Sequence, residues 1–104
     1  MLENTVWKQY NQENDFREKL AEHCVMSIRD FMDDDKELYG VMKSKLTKKE
    51  LKLFAMDCAS VSDEEIMKDF SYTSEELEKA KFKLYKKLKQ DKTRLSFRGT
   101  KDYE

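Results

Sequence analysis

Proline is absent from this chain of 104 residues, and glycine occurs only twice, at Gly40 and Gly99. These are the two residue types that most disfavour a helix interior. Lys, Glu, Leu and Met, which all favour helices, are abundant instead. The sequence therefore predicts an all-α fold, and its length fits one domain with a single modest core.

Potential catalytic and metal-binding residues are equally scarce. The two cysteines, Cys24 and Cys58, form no CxxC pair, and His23 is the single histidine. A zinc site needs more such ligands, and no glycine-rich phosphate loop is present. His23 and Cys24 are neighbours, and adjacent residues of a helix point about 100° apart, so they do not form a nucleophile–base pair. We expect no enzyme, no metal and no cofactor.

Long hydrophobic runs are also missing. No apolar stretch approaches the length of a membrane span, and the first residues lack the basic start and apolar core of a signal peptide. The expected location is the cytoplasm.

Charge is plentiful and nearly balanced, with 21 basic and 22 acidic residues, but it is unevenly distributed. Residues 1–45 carry seven basic and ten acidic side chains, whereas residues 79–98 carry nine basic side chains and one acidic side chain. Such a basic segment attracts polyanions, of which nucleic acid is the commonest. A solvated helix face followed by a basic tail is the other interpretation of the same charges.

Three sites show the spacing of a capping box, in which a Ser or Thr is followed three positions later by Glu. These pairs are Thr47 with Glu50, Ser62 with Glu65, and Thr73 with Glu76. Apolar residues follow each pair at helical intervals. The pattern predicts helices over residues 48–58, 63–70 and 74–90.

The first part of the chain shows one long apolar stripe. Steps of four residues from Phe16 to Met32 predict an amphipathic helix over 14–32, which could extend back through Val6, Trp7 and Tyr10. The charged residues 33–36, three aspartates and a lysine, interrupt this stripe, and residues 37–42 resume it as a short helix.

These elements divide the chain into three regions. Residues 1–45 form a helical region for packing or dimerisation, and residues 46–90 form a three-helix unit. Residues 91–104 show no periodicity and are expected to be a mobile basic tail, with Leu95 and Phe97 as possible docking residues.

Residues 46–88 resemble the helix-turn-helix of LuxR-type regulators and of region 4 of sigma-70 factors. The residues that carry the resemblance are Leu46, Thr47, Glu50, Ser62, Glu65, Ile66, Thr73, Leu77, Lys86, Lys87 and Leu88. The matched segment covers about two fifths of the chain, and the residues that carry the resemblance are mostly structural. The chain departs from the family at Ser60, where a glycine is usual.

The resemblance implies a DNA-binding transcriptional regulator, in which the helix predicted over 74–90 enters the major groove N-terminus first. Base edges would face Ser74, Glu75, Glu78 and Lys79. Phosphates would be held by Lys48, Lys49, Lys83, Lys86 and Lys87. Regulators of this kind are commonly two-fold dimers, so the helix predicted over 14–32 is a possible homodimer contact.

The carboxylates of Glu75, Glu76 and Glu78 oppose that interpretation, because they stand where DNA would approach. Acidic residues also stabilise the positive end of a helix dipole whatever the protein does. The same scaffold could therefore be a protein-interaction module that binds no DNA and docks on RNA polymerase, a sigma factor or another regulator. The sequence leaves both functions open.

Overall fold

A computed structural model of the chain describes residues 5–11 and 16–98. This part contains no strand and confirms the all-α class. Its α-helices are α1 (Val6–Tyr10), α2 (Phe16–Cys24), α3 (Asp35–Lys45), α4 (Lys48–Cys58), α5 (Asp63–Phe70), α6 (Ser74–Lys89) and α7 (Asp91–Arg94). Two short 3-10 turns, Ile28–Asp30 and Leu95–Phe97, complete the described chain. No helix in these residues is both long and apolar enough to cross a bilayer.

The helices α4, α5 and α6 begin where the capping residues placed them. At Thr47 the hydroxyl accepts from the amide of Glu50 at 3.1 Å, and the Glu50 carboxylate accepts from the amide of Thr47 at 2.9 Å. Thr73 and Glu76 exchange the same two bonds at 3.1 and 2.8 Å. Ser62 makes the first of these bonds, at 3.2 Å, with the amide of Glu65. The helix boundaries were predictable because these caps are local.

The long helix predicted over 14–32 is wrong, because α2 ends at Cys24. Val25 takes the left-handed conformation with φ of 56°, and the amide of Met26 then donates to the carbonyl of Ala21 at 3.0 Å. This is the closure of a Schellman motif. Ser27 caps a separate 3-10 turn, Ile28–Asp30. The extension through Val6, Trp7 and Tyr10 is likewise a separate helix, α1, which ends at Tyr10 and has Asn11 as its C-cap.

The apolar stripe of α2 is buried within one chain. Phe16, Leu20 and Cys24 are fully buried. The Trp7 ring of α1 lies between them and α4, with its centroid 5.8 Å from that of Phe16 and 5.8 Å from that of Phe54. A homodimer built on this stripe would have to open the core.

The charged segment 33–36 starts a helix rather than separating two. The Asp34 carboxylate accepts from the amide of Lys36 at 2.9 Å, and α3 then continues to Lys45, beyond the short helix predicted over 37–42. Arg17 of α2 fixes this corner, since its guanidinium donates to Asp35 at 2.9 Å and to the carbonyl of Met32 at 2.7 Å.

The basic tail expected to be mobile from residue 91 is helical through residue 97, and its end is packed against the first part of the chain. Phe97 is fully buried, with its ring centroid 6.1 Å from that of Phe31, and its carbonyl accepts from the amide of Met32 at 2.9 Å. Leu95 remains partly exposed. Residues 99–104 lie outside the described residues.

Val25 provides a test of the α2 terminus. A left-handed conformation costs a residue other than glycine roughly 1–2 kcal/mol, and a β-branched residue is an outlier there. Because the Val25 side chain is 70% exposed, its removal sacrifices little packing. We expect Val25→Gly to raise the free energy of unfolding by about 1 kcal/mol, measured by urea denaturation. Val25→Ala keeps a Cβ and serves as the control, and equal stability of the two variants would contradict a left-handed Val25.

Candidate nucleic-acid interface

The helices α5 and α6 are joined by a tight turn over residues 71–73. Ser71 closes α5 in the left-handed conformation with φ of 60°, and the amide of Tyr72 donates to the carbonyl of Met67 at 2.9 Å. Thr73 then caps α6. Ser60, in the turn before α5, is also left-handed, with φ of 62°. A glycine at that position, as in the family that the sequence resembles, would adopt this conformation without strain.

Two lysines on the inner side of α6 tie it to α4 and α5. The Lys81 ammonium lies 3.2 Å from a carboxylate oxygen of Asp57 and 2.8 Å from one of Asp63. Burial alone would lower the pKa of Lys81, but its hydrogen bonds to Asp63 and Asp57 outweigh burial and raise it. Lys81 therefore stays charged and its charge is matched within the fold.

The second of these lysines is Lys87, which the sequence predicted to hold phosphate. Its ammonium lies 2.8 Å from the Glu50 carboxylate, the same carboxylate that closes the cap at Thr47. Burial would raise the pKa of Glu50, but the hydrogen bonds from Lys87 and Thr47 lower it. Lys87 is thus a structural link between α4 and α6. A charge reversal there would also break this link, so a phosphate contact by Lys87 stays a prediction that such a variant could not test.

The opposite side of α6 carries a line of exposed side chains, here called the outward stripe. From the start of the helix it runs Glu75, Glu78, Lys79, Phe82, Lys86 and Lys89. The core side of the helix is formed by Leu77, Leu84 and Leu88, all buried. The outward stripe is therefore acidic at the helix start and basic at its end.

Phe82, in the middle of the outward stripe, is 70% exposed. Its ring centroid lies 5.8 Å from the Lys86 ammonium. Sequence reasoning missed Phe82 because it followed only the core stripe of α6. The signal was present, since two residues of a helix span about 200°, which places Phe82 almost opposite Leu84.

A groove between α4 and α6 brings together lysines that are far apart in sequence. Lys49 and Lys83 both line it, with Tyr72 of the turn. Lys48, also predicted to hold phosphate, is exposed in the first turn of α4. Of the sequence-predicted phosphate contacts, Lys49 and Lys83 therefore line one groove, which they share with the Glu50 carboxylate that binds Lys87.

The predicted base-facing residues are all exposed at the start of α6; they are Ser74, Glu75, Glu78 and Lys79. Glu76, the third carboxylate of this region, is engaged in the cap of Thr73. Within residues 5–11 and 16–98, Lys79, Lys83 and Lys86 form no ion pair. This surface therefore offers two unengaged carboxylates and several unengaged ammonium groups to a partner.

On the inner side, His23 packs against α6. Its ring stacks on Tyr85 with centroids 4.2 Å apart, and the Tyr85 hydroxyl donates to Asp57. Burial, and then the bond to Asp57, raise the pKa of Tyr85. Burial lowers the pKa of His23, against the opposing charges of Glu22 and Asp57. This cluster anchors α6.

Within the residues that the structure describes, neither Cys24, which follows His23 in sequence, nor the acidic residues form a reactive site. Burial raises the pKa of the Cys24 thiol to about 12, so it is not a thiolate at neutral pH. No group of three or more His, Cys, Asp or Glu in residues 5–11 and 16–98 is arranged to hold a metal ion.

Comparisons of the chain with models of protein families, with curated proteins and with solved structures gave no match. What this surface binds is therefore inferred from its geometry and charge.

His23 makes the stability of the fold depend on pH. Because burial lowers its pKa, the folded protein binds this proton less tightly than the unfolded chain does. The contribution of neutral His23 to the stability of the fold is fully present above pH 6.5, the ordinary pKa of histidine. It is lost as the pH falls from there through the lower pKa that His23 has in the folded protein. We expect denaturation midpoints to fall over this interval in the parent chain and to fall less in His23→Phe, which keeps an aromatic ring beside Tyr85.

The titration of His23 can be followed directly by NMR, since it is the only histidine. Glu50, whose pKa is lowered from 4.5, titrates below this interval and does not confuse the result. A measured His23 pKa at or above 6.5 would contradict the buried position of the ring.

Proposed function

We propose that this chain is a small cytoplasmic DNA-binding regulator of transcription, with α5 and α6 as its reading unit. The observation that carries the proposal is the shared surface of α4 and α6, where Lys49 and Lys83 line one groove. Lys79 and Lys86 are exposed on the outward stripe of α6 and form no ion pair with any described residue. Ammonium groups from two helices on one face suit a phosphate backbone.

The proposed binding mode places α6 in the major groove, with Ser74, Glu75, Glu78 and Lys79 toward the base edges. A helix of about 10–12 Å diameter matches a groove of about 12 Å width. The lysines further along α6 and those at the start of α4 then reach phosphates on the groove rims; they are Lys48, Lys49, Lys83 and Lys86. These contacts would fix the position of the protein on the duplex.

The carboxylates at the start of α6 are compatible with this mode. Glu76 is held by the cap, so Glu75 and Glu78 are the two that meet the groove floor. A carboxylate can accept a hydrogen bond from the exocyclic amine of cytosine. On the groove floor these groups therefore select bases, while the neighbouring lysines supply the attraction to the backbone.

A second candidate is the protein-interaction module, which docks on RNA polymerase, a sigma factor or another regulator. The exposed Phe82 favours it, since aromatic residues are enriched in protein interfaces. In that case α6 would present Phe82 and the two carboxylates to a partner of complementary charge. The unengaged lysines on two helices lead us to place DNA first.

The test of DNA binding is a fluorescence titration of the protein against a pool of random duplexes at about 50 and about 200 mM salt. Each phosphate neutralised contributes about 0.9 to the slope of log affinity against log salt. The four proposed phosphate contacts therefore predict a slope of about −4. No binding at the lower salt would reject the proposal and leave the protein-interaction module.

Charge reversal at this surface is the accompanying variant test. We expect Lys83→Glu combined with Lys86→Glu to weaken binding and to reduce the salt slope by about 2, because two phosphate contacts are lost. Lys36→Glu combined with Lys43→Glu changes the net charge equally on exposed positions of α3 and is the matched control. Equal weakening by both pairs would show that net charge, and not this surface, governs the binding.

A further inference from the structure

We infer that Phe82 is a specificity-determining residue that contacts the C5-methyl group of a thymine in the major groove. The inference rests on the proposed DNA-binding function and adds one base preference to it. It comes from the position of Phe82, which the resemblance to known regulators did not assign.

Phe82 is exposed in the middle of the outward stripe, one turn beyond the proposed base-facing residues Glu78 and Lys79. Its side chain is 70% exposed, and within α6 it is the large hydrophobic residue that the core leaves uncovered. Other exposed large hydrophobics of the described chain, Val25, Ile28 and Leu95, lie outside α6. The exposed apolar surface of α6 is therefore concentrated at a single point.

The charges around Phe82 are net basic, which suits a polyanion. Lys79 lies one turn before it and Lys86 one turn after it, with the Lys86 ammonium 5.8 Å from its ring centroid, and Glu78 contributes a carboxylate beside it. A partner that matches these groups brings phosphate to the ammonium groups and an apolar group to the ring. The major groove has this arrangement at a thymine, whose methyl group lies between two phosphate backbones.

The direction of the side chain also fits. Side chains of a helix tilt toward its N-terminus, so the Phe82 ring extends toward the end of α6 that would enter the groove first. Phe82 lines a shallow open depression together with Glu78 and Lys79, two of the proposed base-facing residues. A methyl group held against the ring would therefore belong to a base next to those that Glu78 and Lys79 face.

The experiment removes single methyl groups from the DNA. After selection of a preferred duplex, each thymine is replaced in turn by uracil, which pairs identically and lacks only the methyl. Burying one methyl against an apolar surface is worth about a fourfold change in affinity. We expect the parent chain to lose about fourfold at one thymine, and Phe82→Ala to bind the thymine and uracil duplexes equally.

Two further variants serve as controls. Phe82→Leu keeps an apolar side chain and should retain part of the thymine preference, while Val25→Ala alters an equally exposed apolar residue and should retain all of it. Circular dichroism of each variant checks folding, and the salt slope should stay unchanged in Phe82→Ala because no phosphate contact is lost.

The outcomes separate the inference from the function beneath it. Salt-dependent binding in which no thymine-to-uracil change weakens the parent chain would overturn the role of Phe82 and leave the regulator proposal standing. A loss of affinity on thymine-to-uracil replacement that is equal in the parent chain and in Phe82→Ala would likewise overturn the role of Phe82 and leave the regulator proposal standing. Absence of DNA binding at both salt concentrations would reject both, and Phe82 would then belong to a protein interface.

Discussion

The orientation of α6 depends on two polar links to α4, which lie two turns apart on that helix. Near the start of α4, Glu50 binds Lys87, and near its end Asp57 binds Lys81 and the Tyr85 hydroxyl. The order of these partners makes the two helices antiparallel. Each link is partly shielded from water, so the charges attract more strongly than a fully exposed pair would. The buried leucines of α6 set which side faces the core, and the two links set where the helix lies along α4.

This arrangement divides the lysines of α6 into two groups with different uses. Lys81 and Lys87 are matched by carboxylates of α4 and α5. Lys79, Lys83 and Lys86 are directed to the surface without an ion pair inside the described residues. The whole chain is slightly acidic, with a formal net charge of −1, so attraction to DNA would have to come from this local surface.

The parts of this fold that could be predicted from sequence are those governed by neighbouring residues. The capping residues Thr47, Ser62 and Thr73 act within one helical turn, and α4, α5 and α6 begin just after them. The end of α2 was missed because its Schellman closure uses Val25, whereas glycine is the residue that normally marks this motif.

The features that could not be predicted from sequence have a tertiary cause instead. The ion pair of Lys87 was not foreseen because its partner, Glu50, is 37 positions away in sequence. Phe97 looked like part of a mobile tail because the ring that covers it, Phe31, belongs to the first part of the chain. Side chains of identical type, such as Lys83 and Lys87, acquire different roles only when the packing of α6 on α4 is known.

The change from acidic to basic residues along the outward stripe sets a separate requirement for each of the two proposed partners. In the DNA mode the acidic start of α6 meets the groove floor, where cytosine and adenine present amines, and the basic end meets the phosphates at the rim. Glu75, Phe82 and Lys86 would then face a hydrogen-bond donor, an apolar group and an anion in that order. A protein partner would have to present a basic, an apolar and an acidic group in the same order along one helix length. B-form DNA presents amines, thymine methyls and phosphates within one major groove, so it meets this requirement with a single regular structure.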